Sequence, residues 1–513
     1  MRPIRLSKRM VGRLVLLLAC LLTAVGARAD SEKAQALEKI RKHIKPLRHP
    51  LGDRLPIITW QGRHFPLGLE EGSIEANNAV FLERGFLPTC NGCSRPDRAE
   101  LYVPIFKFWQ SRGFPVCFLP QGWVQGLFHV DRKGRSKSAH EPPAEQDEHY
   151  PCPARLLTNK TIPRAAQNTE DTMRALKDKG IDVRLLLVDF ESGAYLRNWM
   201  EKQEEAEKQR LMAQRCPRCV ETFGKEALGT LDGYVKVVDR ARAEATKTVL
   251  CDPARKVFPG AFIGNFYAWP INRTPRPEGR APAYGYEGSG LNVLMPRVYM
   301  NAGWGGAGRD QDKMNWNAFF CCLDAFSPAA AVKRDGELFI PWTHIWLGGK
   351  YLDFVTKRGR KLPELWAMNE MARHMMLRGT ETFAIWMDTQ LGEYPESYPF
   401  PQFAEMGQFC YDVNCVHQGF DDMLRFHDFL RKAKPMTFEV WGTKAELGPE
   451  TATWSGMQTP GKALVRTISF NRGEPVEKEI PAYGKKVRLP FGPKGRSYWV
   501  YPDGRSERIA DAQ

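Results

Sequence analysis

Two carboxylates separated by one aromatic residue, Asp189 and Glu191 around Phe190, close the apolar run Val183-Arg184-Leu185-Leu186-Leu187-Val188. In a β-strand successive side chains alternate faces, so residues two apart point the same way with Cα atoms about 6.5 Å apart. Both acids would then face one site. Two charges this close disfavour joint ionisation, which keeps one member of such a pair protonated near neutral pH. Glycoside hydrolysis needs that division: one group gives a proton to the leaving oxygen while the other supports positive charge near the anomeric carbon. Glu191, with the longer reach, is the expected acid and then base. The competing reading has Asp189 cap the following helix and Glu191 pair with Arg197 or another surface cation.

An unbroken Leu and Val run is what a strand buried on both faces looks like, as in a parallel sheet or barrel, and barrel enzymes carry their chemistry at the C-terminal ends of such strands. Similar short runs occupy residues 56–60, 79–82, 115–119, 183–191, 261–267, 293–300, 338–346 and 382–387. Helical patterns lie between several of them, at 169–179, 196–214, 228–250 and 362–377. Strands alternating with helices predict an α/β fold, a (β/α)8 TIM-type barrel over residues 30–434. From residue 435 the pattern changes to short alternating runs at 437–441, 463–470, 486–489 and 498–501, separated by Gly, Pro and Asn turns. They predict a small C-terminal all-β sandwich over 435–513, expected to cover the barrel more than to bind a ligand. Residues 133–153, rich in charge, His and Pro, read as a long surface loop.

The first 29 residues read as a cleavable secretory signal peptide: a basic head, the apolar stretch 14–22 and Ala27-Arg28-Ala29 at the close. A secreted or periplasmic protein beginning at Asp30 is expected; Leu17-Leu18-Ala19-Cys20 also reads as a lipoprotein box, with bulky Leu18 against it. No later segment has the length and apolarity of a membrane span. The 513 residues carry 74 Lys and Arg against 59 Asp and Glu, a formal +15. Six of the basic residues fall in the leader, so the excess left is modest. It suits an acidic polysaccharide or an ordinary solvated surface, and no basic-aromatic pattern of a nucleic-acid binder is present.

Twelve cysteines, eleven beyond the leader, point in an exported chain to disulfides. The two C-x-x-C elements, Cys90 with Cys93 and Cys216 with Cys219, also suggest a four-thiolate zinc site, although more than a hundred residues part them. No metal or cofactor is expected in catalysis.

The order of segments around Asp189-Phe190-Glu191 resembles the hyaluronidase family of glycoside hydrolases, which carry Asp-Trp-Glu at this point. The likeness extends to Phe118-Leu119-Pro120-Gln121-Gly122, Gly264-Asn265-Phe266-Tyr267-Ala268-Trp269-Pro270, Leu294-Met295-Pro296-Arg297-Val298-Tyr299-Met300 and Ala384-Ile385-Trp386-Met387, and so spans most of residues 55–390. The resemblance implies a retaining, substrate-assisted mechanism of endo-β-N-acetylhexosaminidase type on an N-acetylhexosamine-containing polysaccharide. The sugar's acetamido oxygen is then the nucleophile, Glu191 the proton shuttle and Asp189 the group that orients the acetamide. It also implies that Tyr299 bonds the acetamido group, that Tyr267 sits near the scissile sugar, that Trp386 floors the subsite, and that Gln121 lies on the substrate side. For the three aromatics the competing role is core packing.

Phe190 stands where the family has tryptophan, the cysteines lie elsewhere, and a β-sandwich replaces the animal enzymes' growth-factor-like tail. These departures point to a distant relative with another glycan substrate. A glycanase acting on a sugar without an acetamido group, and a non-catalytic carbohydrate-binding envelope protein, are the alternatives. Two further patterns carry less. Gly303-Trp304-Gly305-Gly306-Ala307-Gly308 has dinucleotide-fingerprint spacing but no following acid, and reads as a loop over a barrel mouth. His129, His140 and His149 fit no compact ligand motif.

Overall fold

The computed structural model describes residues 37–60, 73–88, 90–91, 95–119, 152–158, 161–188, 203–266, 286–299, 310–344, 362–386, 401–440, 451–470 and 475–510. Eight parallel strands follow one another round a closed ring. They are β1 (Ile57–Trp60), β2 (Phe86–Pro88 and Cys90–Asn91), β3 (Val116–Leu119), β4 (Val183–Val188), β5 (Phe262–Asn265), β6 (Val293–Leu294 and Arg297–Tyr299), β7 (Leu338–Phe339 and Trp342–His344) and β8 (Ala384–Trp386). Each pairs with its neighbours in sequence, and β8 returns to β1 with Ile58 opposite Ala384 and Trp60 opposite Trp386. This is a (β/α)8 barrel.

Three strands fall into two segments each, and a proline stands between the segments in two of them: Pro296 in β6 and Pro341 in β7. Proline has no N–H to give to a ladder, although the Pro296 and Pro341 carbonyls still accept from the Trp342 and Ala384 amides at 2.9 and 3.0 Å. The first half of β2 pairs with β1 and its second half with β3, whereas β6 and β7 pair with each other along both halves, β5 joining the first half of β6 and β8 the second half of β7. Two arcs result, one of five and one of six segments.

Helices cover the ring: α1 (Ser73–Glu83), α2 (Val103–Ser111), α3 (Pro153–Thr158), α4 (Ile162–Asp178), α5 (Gln203–Arg215), α6 (Pro217–Phe223) and α7 (Leu231–Thr246, running on through Lys247–Cys251 and Asp252–Val257) come first. After β6 follow α8 (Gln311–Ala331), α9 (Leu365–Met376), α10 (Pro401–Leu424) and α11 (His427–Lys432). The turn Lys247–Cys251 of α7 is π-helical. Pro253 is the cause: it cannot donate to the carbonyl of Val249 four residues back, and its ring crowds that carbonyl. The hydroxyl of Thr169 on α4 reaches the Val249 oxygen instead.

In β4, Leu185, Leu186, Leu187 and Val188 are all buried while Arg184 is exposed, as a strand covered on both faces requires. The run 79–82, by contrast, is not a strand. Val80, Phe81 and Leu82 form the buried end of α1, which stops at Gly85, a residue at φ +66° where a left-handed turn favours glycine. A short apolar run suits a helix as well as a strand, and here the strand is the next segment, Phe86-Leu87-Pro88.

The antiparallel part begins at Lys434. It is a five-stranded sheet of β9 (Lys434–Pro435), β10 (Ala452–Gln458), β11 (Ala463–Ser469), β14 (Arg496–Val500) and β15 (Ser506–Ile509), with the hairpin β12 (Val476–Ala482) and β13 (Lys485–Phe491) against it. Trp454, Val465, Ile480, Leu489, Phe491 and Val500 fill the space between the two sheets. The expected strand at 437–441 is absent over its described residues 437–440; pairing on that edge is made by Lys434 and Pro435 with Gln458 and Met457. On its other side the five-stranded sheet joins the barrel's own core through Met457, Leu464, Ile468 and Phe470. No helix among the described residues is long and apolar enough to cross a membrane.

Candidate functional site

Because all eight strands run parallel, their C-terminal ends share one rim. Register sets the order there. Tyr299 of β6 lies opposite His344 of β7. Thr343 lies opposite Ile385 and Trp60 opposite Trp386, so one step further along β7 His344 is level with Trp386. The backbone thus presents a row Tyr299, His344, Trp386, Trp60 across four neighbouring strands, about 4.8 Å apart from strand to strand.

The other arc delivers the acids. Val188 ends β4 opposite Asn265 of β5, and the pairing runs one residue on, with the Phe266 amide donating to the Val188 carbonyl at 2.9 Å. Asp189 and Tyr267 are the next residues in the chain after that bonded pair. Gln121 follows Leu119, the end of β3, by two residues. Asp189, Glu191, Tyr267 and Gln121 themselves lie outside the described residues, as do Gly303–Gly308, the histidines 129, 140 and 149, and the leader. Tyr299 and Trp386 are placed by their backbone, as the last residues of β6 and β8.

Side chains that sequence reasoning passed over stand at this rim. His344 is fully buried, and its Nδ1 lies 3.4 Å from Oδ2 of Asp412 on α10, also fully buried. Asn265, buried at the end of β5, and the ring of Phe266, 4.7 Å from that of Trp342, complete the described surroundings. The signal was present: Thr343-His344 and Asn265 are polar residues closing apolar strand runs, the same pattern that singled out Asp189. Asp412 could not be found this way, since it comes from a helix about 70 residues on and only the fold brings it to His344. Below the rim, the hydroxyls of Thr59 and Thr343 donate to the neighbouring strands' Leu87 and Ala384 carbonyls at 3.3 and 3.4 Å, so these buried polar groups serve the ladder rather than a ligand.

Among the described residues, Cys117, Cys152, Cys216, Cys219, Cys251, Cys321, Cys322, Cys410 and Cys415 are buried and joined by no disulfide, contrary to the expected cross-links. Most pack as small apolar side chains of strands and helices, and burial pushes the thiols of Cys117, Cys251 and Cys410 up to about 12. The described residue that joins Cys216 and Cys219 is Cys152; Cys93 and the side chain of Cys90, the other expected C-x-x-C element, lie outside the described residues.

No family model and no curated protein matches the chain. Among solved structures it is similar to isomaltulose synthase from Erwinia rhapontici, at 11% identity over 86% of this chain and 97% of that one, TM-score 0.41. A Cellulomonas fimi endo-beta-1,4-mannanase double mutant aligns at 10% identity over 93% and 97%, TM-score 0.37. The cyclic alpha-maltosyl-(1→6)-maltose hydrolase from Arthrobacter globiformis aligns at 9% over 80% and 79%, TM-score 0.35. Likenesses this loose add nothing to the strand pairings, which define the barrel by themselves.

Proposed function

We propose that the protein is an exported glycoside hydrolase that cleaves an N-acetylhexosamine-containing polysaccharide by a retaining, substrate-assisted mechanism, with residues 30–434 catalytic and 435–513 supporting them. One observation carries the reading: β4 belongs to a closed ring of eight parallel strands, and the chain leaves its C-terminal end directly into Asp189-Phe190-Glu191. The β3, β5, β6 and β8 ends, which lead to or end in Gln121, Tyr267, Tyr299 and Trp386, share that rim and support the same assignment.

In this reading the acetamido oxygen forms a bond to the anomeric carbon as the glycosidic C–O bond breaks, and Glu191 gives its proton to the departing oxygen. Asp189 orients the acetamido N–H and balances the charge of the cyclic intermediate. Glu191 then takes a proton from water, which opens the ring and restores the starting configuration. Aromatic residue types such as Tyr299, Trp386 and Trp60 suit the C–H surfaces of sugars.

The test is hydrolysis of hyaluronan, chondroitin, chitin and peptidoglycan fragments by the full chain beside Glu191→Gln. The wild type should release new reducing ends from at least one glycan, and Glu191→Gln should do so about 10²–10⁴-fold more slowly. Equal rates, or no cleavage of any glycan, would overturn the proposal. A thiazoline analogue of the cyclic intermediate should inhibit strongly. Cleavage that ignored it would reassign the enzyme to sugars without an acetamido group.

A further inference from the structure

Between β4 and β5 the chain inserts α5 and α6 before α7, the helix that covers the strand. This insertion, with α3, has a small core of its own: Cys152, Ala154, Ala213, Cys216, Cys219, Leu228, Tyr234, Val237 and Val238. Three of those nine buried residues are cysteines, and none of the apolar members is larger than leucine apart from Tyr234. So thin a core supplies little burial energy for two added helices, a deficit that small folds usually meet with a cross-link or a metal.

The sulfurs are arranged for a metal. Sγ of Cys152 lies 3.3 Å from that of Cys219 and 3.9 Å from that of Cys216, and all three are within 4.8 Å of one another. Zinc–sulfur bonds of about 2.3 Å in a tetrahedron place sulfurs about 3.8 Å apart, inside this spread. A disulfide would use only two of the three thiols, whereas a metal takes all three. Cys216 is the residue before the first turn of α6, with Pro217 fixing that turn, so Cys216 and Cys219 stand on one side of it as a C-x-x-C clamp. The amide of Ala154 donates to Cys219 Sγ, the kind of N–H···S contact that holds a metal-bound thiolate in place.

We propose that Cys152, Cys216 and Cys219 bind a structural zinc ion that staples α3 to the α5–α6 insertion. The site is separate from the catalytic proposal and stands whether or not the protein hydrolyses glycans. Its location reaches further than the insertion. The segment leaving β3 through Gln121 ends at Cys152, and the segment leaving β4 through Asp189 and Glu191 ends at α5, which packs on the same cluster. One ion ties down the far ends of both.

The full chain, purified without chelators, should carry about one zinc per molecule, and zinc-edge absorption should show three or four sulfurs at about 2.3 Å. Cys216→Ser and Cys219→Ser should each lower retained zinc at least about tenfold, while Cys251→Ala, outside the cluster, should keep it. If the serine variants fail to fold, wild-type protein decides: chelation should open residues 203–230 to protease, and zinc, not magnesium, should close them again. Zinc below about a tenth per chain, fewer than three sulfurs around it, or an intact mass lacking two hydrogens with Cys152 bonded to Cys216 or Cys219, would overturn the proposal.

Discussion

Glu370 on α9 is buried among charges, and its partners decide what it does. Arg466 of β11 donates to it from Nε at 2.6 Å and from Nη2, and Arg373 donates from Nη1 at 2.6 Å. Burial by itself would raise this carboxyl's pKa, but the two guanidiniums outweigh it and hold the group below its usual 4.5. The unfolded carboxyl therefore takes up its proton first as pH falls. Its contribution to stability is complete above about pH 4.5 and disappears as pH drops through the lowered folded value. Urea denaturation from pH 7 down to 3 should show a steeper acid loss for wild type than for Glu370→Gln. At pH 7 that substitution should cost about 3–5 kcal/mol, because it leaves buried guanidinium charge uncompensated. Gly419 makes a different demand. A Cβ there would lie 2.4 Å from the Asn369 carbonyl oxygen and 2.9 Å from Ala372 Cβ, so α9 and α10 approach as closely as they do only because the side chain is missing. Gly419→Ala should lower stability by about 1–3 kcal/mol in the same measurement.

At the scale of elements, Thr169 and Pro253 form a testable pair. With no N–H at residue 253, the Val249 carbonyl relies on the Thr169 hydroxyl. Thr169→Val should cost about 1–3 kcal/mol, and in a Pro253→Ala background, where a backbone donor returns, the cost should shrink. A double-mutant cycle by chemical denaturation reads the coupling directly. Such pairings are not legible in sequence, since they join helices about 80 residues apart. Strand β4 is, because Leu185-Leu186-Leu187-Val188 is an unbroken apolar run closed by polar residues, the pattern of a strand buried on both faces. Strand β2 is hidden by its brevity and its proline, and the apolar end of its neighbour α1 reads as the strand instead. Strand β10, Ala452–Gln458, hides for another reason. Its Thr453 and Ser455 look exposed in composition, yet both are buried, and Ser455 Oγ is bonded by Arg378 Nε and His374 Nδ1 at 2.8 Å each. Strand β12, Val476–Ala482, alternates in burial, but its charged run Glu477-Lys478-Glu479 reads like a solvated segment until its hairpin partner is known. Of the candidate site, the acids are legible as polar ends to apolar strands; the contact of His344 with Asp412 needs the fold.

For the whole molecule, the five-stranded C-terminal sheet packs on the barrel's helices and shares their core. Phe470 packs on Trp316 and Phe319 of α8, with ring centroids 5.0 and 5.1 Å apart, and Arg378 after α9 donates to the Glu439 and Trp454 carbonyls. Removing residues 434–513 would uncover these rings and strand Glu370 and Arg378. The truncated chain should aggregate on expression or melt well below the full protein in calorimetry; a truncation that melted like the full chain would show the sheets to be an independent module. The prolines at the strand breaks have a mechanical meaning as well. The ring's two arcs, or staves, meet at two seams, at β2 and at β6–β7, and Pro296 and Pro341 stand at the second. One stave carries the row from Tyr299 to Trp60, while the other delivers the chain to Asp189 and Tyr267. At β6–β7 the ladder runs on past the prolines, with the Leu338, Ile340 and Trp342 amides donating in turn to the Asn292, Leu294 and Pro296 carbonyls. Pro296 and Pro341 each remove one donor from that seam, so the spacing of the two sets of rim residues rests there on the donors that remain.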